Sequence, residues 1–237
     1  MNKKAEKIYL ILFSIFSFSV ISYGSYTDYL SYGGELSRTD ILTLVITYIA
    51  GLTGVICVLL VARENIWNYL FGIVSVSLWL IYVIFWSPLI WDGLINIVYL
   101  ILNFYGLYYW LHPAKTQGKE KSGIAKTRTM TKKEKILYTV IAGVSIIILT
   151  AIGRSVGRYD SDIQALTDAS STVIAILGQW FMSLKLLENW YMWIIVNLIS
   201  IPLYISVGSY TLAMVWLAYL INAVYGYIMW NYNMRKA

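Results

Sequence analysis

The sequence predicts an all-α integral membrane protein with eight transmembrane helices, in which an N-terminal helix precedes a parallel 3+1+3 duplication of three-helix units. Of the 237 residues, 59% are hydrophobic and 13% are charged, about half the charged share of a soluble domain. The apolar residues form long runs separated by short polar stretches, and a segment near the middle of the chain recurs close to its end. Composition, run length and repetition therefore predict the membrane location, the helices and the duplication, respectively.

Eight apolar runs approach the length of about 20 residues that a helix needs to cross a bilayer. They are residues 7–24, 41–62, 66–86, 88–111, 135–153, 166–185, 189–207 and 209–232. Very short connections, such as Arg63-Glu64-Asn65, predict that the helices on either side are antiparallel neighbours. Residues 1–30 are predicted to form a retained transmembrane helix, because no small-residue cleavage site follows their basic start and apolar run.

The basic residues set the predicted orientation. With the N-terminus inside, fifteen of the eighteen Lys and Arg residues fall on the cytoplasmic side, as the positive-inside rule requires. The polar segment 112–134 is rich in Lys, Thr and Gly, and it is predicted to be a flexible cytoplasmic linker. Both termini are therefore predicted to be cytoplasmic.

Two matches within the chain indicate a duplication. The twelve-residue segments Tyr99–Trp110 and Tyr219–Trp230 share six identical residues. A second match places Glu64-Asn65 against Glu188-Asn189, 124 residues further on. The chain is therefore predicted to contain one structural unit twice.

The predicted units are residues 41–111 and 166–232. Each holds an odd number of helices, so two units joined directly would have opposite orientations. The connecting helix at 135–153 restores the same orientation, which makes the duplication parallel. Parallel three-helix repeats are typical of transporters with a central site between the units.

Polar and aromatic residues inside the predicted spans share helix faces. In the fourth and sixth spans they follow the same spacing of 0, 4, 7 and 11 residues: Asp92, Asn96, Tyr99 and Asn103, then Asp168, Thr172, Ala175 and Gln179. Shorter stripes occur in the last two spans: Trp190, Trp193 and Asn197, then Tyr219 and Asn222. Amides also join helices within membranes, and Trp and Tyr also line the interfaces. Four such faces at mid-depth nevertheless favour a substrate site.

The candidate substrate contacts are Asn96, Tyr99, Asn103, Thr172, Gln179, Trp190, Trp193, Asn197, Tyr219 and Asn222. The single cysteine, Cys57, and the single histidine, His112, give poor support for a metal site, a cofactor or Cys–His catalysis. The basic residues flank apolar spans, so nucleic-acid binding is rejected. No acidic residue lies at mid-depth, which favours an uncoupled facilitator.

The segment from Lys185 to Ser200 resembles the signature K-x-x-E-N-W-x-x-W-x-x-x-N-x-x-S of the PnuC family of bacterial vitamin transporters. The stretch from Asn103 to Trp110 is similar to the end of that family's first repeat. The resemblance covers roughly 41–111 and 165–232. The first unit departs from the pattern, because it reads Glu64-Asn-Ile-Trp67 where the family has Glu-Asn-Trp.

The resemblance implies uptake of nicotinamide riboside across the bacterial inner membrane by facilitated diffusion, with trapping by a cytoplasmic riboside kinase. It also implies a SWEET-like fold with the site between the units. A pyridinium ring suits Trp and Tyr faces, amides suit a ribose and a carboxamide, and the absence of Arg or Lys at the site argues against a mononucleotide.

Alternatives remain open at this stage. Relatives take thiamin or riboflavin, so thiamin or another aromatic vitamin is the alternative substrate, and homo-oligomers are possible. An enzyme would need clustered titratable groups, and a passive scaffold would not need matched polar stripes. The substrate is expected to contact positions where the units differ, which the matches above give as Asn103 against Ala223, Leu102 against Asn222, and Ile66 against Trp190.

Overall fold

The computed structural model describes residues 3–31, 36–86, 90–120, 122–157, 161–206, 208 and 210–236. Within these residues there are eight α-helices and no named strand: α1 Lys3–Ser31, α2 Arg38–Ala62, α3 Asn68–Trp86, α4 Ile90–Leu111, α5 Lys132–Ser155, α6 Asp162–Ser183, α7 Asn189–Ser206 and α8 Tyr210–Lys236. The predicted all-α class is confirmed. By length and composition, seven of these helices are able to cross a membrane, and α6 is not among the seven.

The polar composition of α6 follows from its position in the bundle. This helix packs against α4, α5 and α7, and ten of its 22 residues are buried. Polar groups such as Gln179 therefore face protein or a cavity, where a membrane helix tolerates them. A helix enclosed in this way does not need the continuous apolar surface of a lipid-facing helix.

The helices group into two triads in the order that the duplication predicts. In the first unit α3 packs against α2 and α4, and in the second α7 packs against α6 and α8. The units meet where α2 contacts α8 and where α4 contacts α6. Helix α1 lies against α2 and α8, whereas α5 packs against α6.

Reciprocal hydrogen bonds join the units. The indole nitrogen of Trp110, at the end of α4, donates to the carbonyl oxygen of Met182 in α6 at 3.1 Å. The indole nitrogen of Trp230, near the end of α8, donates to the carbonyl oxygen of Val61 in α2 at 2.9 Å. The ends of α2, α4, α6 and α8 therefore lie together, as two units in the same orientation require. We call this the linker end of the bundle, because the segment between α4 and α5 packs there.

The α2–α3 and α6–α7 turns have the same backbone conformation. This likeness shows which residues of the two units are equivalent, and it corrects the alignment predicted from sequence. Glu64 and Lys185 have positive φ angles of 55° and 56°, and the amide of each donates to the carbonyl three residues before it at 2.9 Å. Glu64 is therefore equivalent to Lys185, 121 residues later. The predicted pairing of Glu64-Asn65 with Glu188-Asn189 is wrong.

The corrected register also replaces the pairing of Ile66 with Trp190. Tyr69 is the counterpart of Trp190, 121 residues earlier in the sequence. Tyr69 packs on Gly106 of α4, and Trp190 packs on Gly226 of α8. The two glycines are themselves repeat partners in the twelve-residue match.

The predicted flexible linker is instead packed against the bundle where the structure describes it. Ile124, Ala125 and Met130 are buried. The amide of Ala125 donates to the carbonyl of Trp110 at 2.7 Å, and the amide of Leu187 donates to the carbonyl of Arg128 at 2.9 Å. The linker was predicted to be flexible because it is rich in charged residues and glycine. The tertiary contacts that hold it leave no periodic pattern in the sequence, so they could not be predicted.

Candidate functional site

A cavity of about 350 Å³ lies between the two units, within the range of known ligand sites. Nine of the ten residues predicted from the polar stripes line it: Asn96, Tyr99, Asn103, Gln179, Trp190, Trp193, Asn197, Tyr219 and Asn222. They come from α4 and from all three helices of the second unit. The structure therefore brings together faces that lie far apart in sequence.

Thr172 is the predicted residue that does not line the cavity. The α6 stripe reaches the cavity through Ala175 and Gln179, and Thr172 lies nearly one turn before Ala175. Asp168 of the same stripe does not line it either. The side chain of Asp92 lies outside the described residues.

Trp79 and Trp216 line the cavity but belong to no predicted stripe. Trp216 precedes Tyr219 by three residues and so continues the α8 stripe. Trp79 follows Ser75, another lining residue, by four positions on α3. Trp216 lies near the start of α8, where a tryptophan is typical of the membrane interface, so its sequence position does not indicate a cavity. Trp79 lies within α3, and no stripe was predicted on that helix.

The second unit forms an aromatic wall of the cavity from Trp190, Trp193, Trp216 and Tyr219. The rings of Trp216 and Tyr219 are nearly perpendicular, with their centroids 6.1 Å apart. Trp190 meets Trp230 edge to face at 5.4 Å. These contacts limit the rotation of the rings, so the wall is shaped before a ligand arrives.

Three buried polar atoms of cavity-lining residues have no hydrogen-bond partner within the described part of the chain. They are Oδ1 of Asn103, Oδ1 of Asn197 and Nε1 of Trp190. A buried polar group without a partner costs about 1–3 kcal/mol. Each of these atoms exposes less than 1 Å². Two acceptors and one donor on lining side chains therefore suit a ligand that both donates and accepts hydrogen bonds, once a side-chain rotation turns them toward it.

Asn222 differs from these amides because its polar atoms already join helices. Its Nδ2 donates to the carbonyl of Val58 in α2 at 2.9 Å, and the hydroxyl of Tyr9 in α1 donates to its Oδ1 at 3.2 Å. Asn222 thus lines the cavity while holding α1, α2 and α8 together. Its main contribution is to helix packing.

No Asp, Glu, Lys, Arg or His occurs among the described residues that line the cavity. Charge is concentrated at the linker end, where Nζ of Lys185 lies 2.8 Å from Oε2 of Glu64 and 2.9 Å from Oε1 of Glu120. Burial raises the pKa of the Glu64 carboxyl, and the neighbouring ammonium of Lys185 opposes that rise. The cavity itself is neutral, aromatic and amide-lined.

This arrangement is suited to binding rather than to bond cleavage. The described residues contain no group of three or more His, Cys, Asp or Glu side chains that would hold a metal ion. Aromatic faces attract a flat cation, and amides exchange hydrogen bonds with hydroxyl and carboxamide groups.

A family model described as "Nicotinamide mononucleotide transporter" matches residues 44–232. The nicotinamide riboside transporter PnuC of Neisseria mucosa is 31% identical over 200 residues, which cover 79% of this chain and 72% of that protein. The transporter of the same name from Haemophilus influenzae is 28% identical over 189 residues, covering 79% and 80%. A crystal structure of the vitamin B3 transporter PnuC shares the fold, with a TM-score of 0.65 at 24% identity over 100% of this chain and 94% of that one.

Proposed function

The chain belongs to the nicotinamide mononucleotide transporter family, which includes the PnuC transporters, and on this premise we propose that it imports nicotinamide riboside across the bacterial inner membrane. It is a multi-pass membrane transporter and not an enzyme. The observation that carries the proposed substrate is the neutral cavity with its aromatic wall and unpartnered amide oxygens.

The lining chemistry favours the riboside over the mononucleotide. A phosphate group would require Arg or Lys within reach, and none lies among the described lining residues. The pyridinium of the riboside instead gains about 0.5–2 kcal/mol against an aromatic face. The oxygens of Asn103 and Asn197 lack a partner within the described chain, and after a side-chain rotation they would accept from ribose hydroxyls or from the carboxamide.

The proposed mechanism is uniport through alternating access of two parallel three-helix units. No Asp, Glu, Lys, Arg or His lines the described cavity, so binding itself involves no carboxylate, amine or imidazole to carry a coupled proton. Phosphorylation of the riboside by a cytoplasmic kinase would convert a cation into a nucleotide that this neutral site does not favour. Uptake thereby becomes one-way. In the proposed orientation both termini and the linker lie on the cytoplasmic side.

Uptake of radiolabelled nicotinamide riboside into proteoliposomes tests the substrate and the uniport mechanism together. We expect saturable uptake that stops when concentrations equalise and that does not respond to proton or sodium gradients. Excess unlabelled riboside should compete, whereas mononucleotide should not. Stronger competition by thiamin than by riboside would contradict the proposed substrate, and accumulation driven by an ion gradient would contradict uniport.

The site is tested by the double substitution Trp193→Ala with Asn197→Ala. Loss of a cation–π contact and a hydrogen bond should weaken riboside binding by about 10- to 100-fold. Binding is measured by titration of the purified protein. Trp67→Ala is the matched control, because Trp67 is 61% exposed and lies outside the cavity. Unchanged affinity in the double variant, or equal loss in the control, would remove these residues from the site.

A further inference from the structure

One buried ammonium at the linker end joins three separate parts of the chain. The side chain of Lys185 is 0% exposed. Its Nζ contacts the carboxylate of Glu64 at 2.8 Å, the carboxylate of Glu120 at 2.9 Å and the carbonyl of Ala125 at 2.7 Å. Glu64 belongs to the first unit, Lys185 to the second, and Glu120 and Ala125 to the linker.

The two turns that meet through this ion pair are strained in the same way. Glu64 and Lys185 both have left-handed backbone conformations, which cost of order 1–3 kcal/mol for residues other than glycine. Neither position carries the glycine that would relieve the cost. The charged side chains at these two positions therefore have a role that outweighs the backbone strain.

The linker is attached to the turn of the second unit. The amide of Arg128 donates to the carbonyl of Lys185 at 3.2 Å, and the amide of Met130 donates to Oε1 of Glu188 at 2.9 Å. Nε2 of Gln117 donates to the carbonyl of Leu184 at 3.3 Å. The linker is joined to the first unit as well, because the amide of Ala125 donates to the carbonyl of Trp110 at the end of α4 at 2.7 Å. The end of α4, the linker and Lys185 are thus expected to move as one body, and the α2–α3 turn is the part of the first unit that separates from them.

Glu64, in contrast, contacts the second unit through its side chain, while its own amide donates within the turn to the carbonyl of Val61 at 2.9 Å. It pairs with Lys185, and its Oε1 accepts a 3.3 Å hydrogen bond from Asn233 at the end of α8. Breaking a buried ion pair is costly mainly when one charge is left uncompensated. If Glu64 separates from Lys185, the ammonium keeps Glu120 and the carbonyl of Ala125, and Glu64 gains water at the opening.

We propose that Glu64, Lys185 and Glu120 form the gate of the transport cavity at the linker end. In the closed state both carboxylates hold Lys185, and the turns of the two units are tied together. In the open state Glu64 has moved away with the α2–α3 turn, and Glu120 alone neutralises Lys185. The proposal rests on the proposed function, because it treats the cavity as the transport path, but its test needs no substrate.

Cys57 provides a native reporter, because it is the chain's single cysteine and it lines the cavity. A membrane-impermeant methanethiosulfonate reagent is applied to right-side-out and to everted vesicles, and the rate of Cys57 modification is measured from each side. Glu64→Gln should raise the rate from the linker side by at least about fivefold, because the closed state loses its ion pair. Glu120→Gln should lower it, because the open state loses its only carboxylate.

Opposite shifts from two neutralised carboxylates around one lysine distinguish a gate from a structural cluster. Asp162→Asn is the control, since Asp162 pairs with Arg154 at the start of α6, far from the linker end, and it should leave both rates unchanged. Equal shifts of the Cys57 modification rate in the same direction, or no shift in either variant, would overturn the gate. Neither result would contradict the proposed uptake of riboside. If Glu64→Gln does not fold, Glu64→Asp should raise the rate by less, and an unchanged rate there would also overturn it.

Discussion

Replacement of Gly226 by alanine is expected to destabilise the protein and to abolish riboside uptake. A Cβ atom at this position would lie inside van der Waals contact with three ring carbons of Trp190. The indole is buried and packs edge to face on Trp230, so it is able to retreat only toward the cavity. Overpacking of this kind costs about 1–3 kcal/mol, and the displaced ring would enter the cavity that it lines.

Two further glycine substitutions make the result interpretable. Gly143→Ala on α5 adds a Cβ with nothing within 4 Å, so thermal stability in detergent should be unchanged or slightly higher. Gly106→Ala would place a Cβ 2.5 Å from the hydroxyl of Tyr69. It should lower the melting temperature with a smaller effect on affinity, because Tyr69 does not line the cavity. Wild-type stability and uptake in Gly226→Ala would contradict the packing of Trp190.

Replacement of Lys185 by methionine is expected to be the most destabilising single change at the linker end. It leaves Glu64 without its cation, although the side chain of Glu64 is only 5% exposed. An uncompensated buried charge of this kind costs about 3–5 kcal/mol. The contact of the ammonium with the ring of Trp110, at 4.9 Å from the centroid, is lost as well. Unfolding of the purified protein on heating measures the effect.

The double variant Lys185→Met with Glu64→Gln tests the cause of that loss. If the stranded carboxylate is responsible, neutralising it should recover a large part of the lost stability, so the two effects will not add. Glu134→Gln in the Lys185→Met background serves as the control, because Glu134 pairs with Arg128 rather than with Lys185. Strictly additive losses would show that the ion pair contributes little.

The helices were predictable from sequence because the bilayer imposes a length and a composition on them. The cavity-facing residues were largely predictable for a related reason, since a polar side chain in a lipid environment must face protein or a cavity. Thr172 shows where this argument stops. A helical stripe gives the face of a residue, but the extent of the cavity along that face depends on the neighbouring helices.

Tertiary contacts account for what could not be predicted. Asn103 and Asn222 have the same residue type in equivalent helices, yet Oδ1 of Asn103 has no partner within the described chain, whereas that of Asn222 accepts from Tyr9. The partner comes from α1, far away in sequence. The predicted register of the two units was wrong for a similar reason. Glu64-Asn65 and Glu188-Asn189 have the same residue types, but Glu64 has a positive φ angle and Glu188 does not.

The pairing of Glu64 with Lys185 has a consequence for how such a fold is able to arise. A homodimer of a single three-helix subunit places the same residue at both copies of every position, because its interface is isologous. Two glutamates or two lysines would then face each other near the symmetry axis and repel. Here the equivalent positions carry opposite charges 2.8 Å apart. This pairing requires two units with different sequences, and fusion into one polypeptide allows the sequences of the units to diverge.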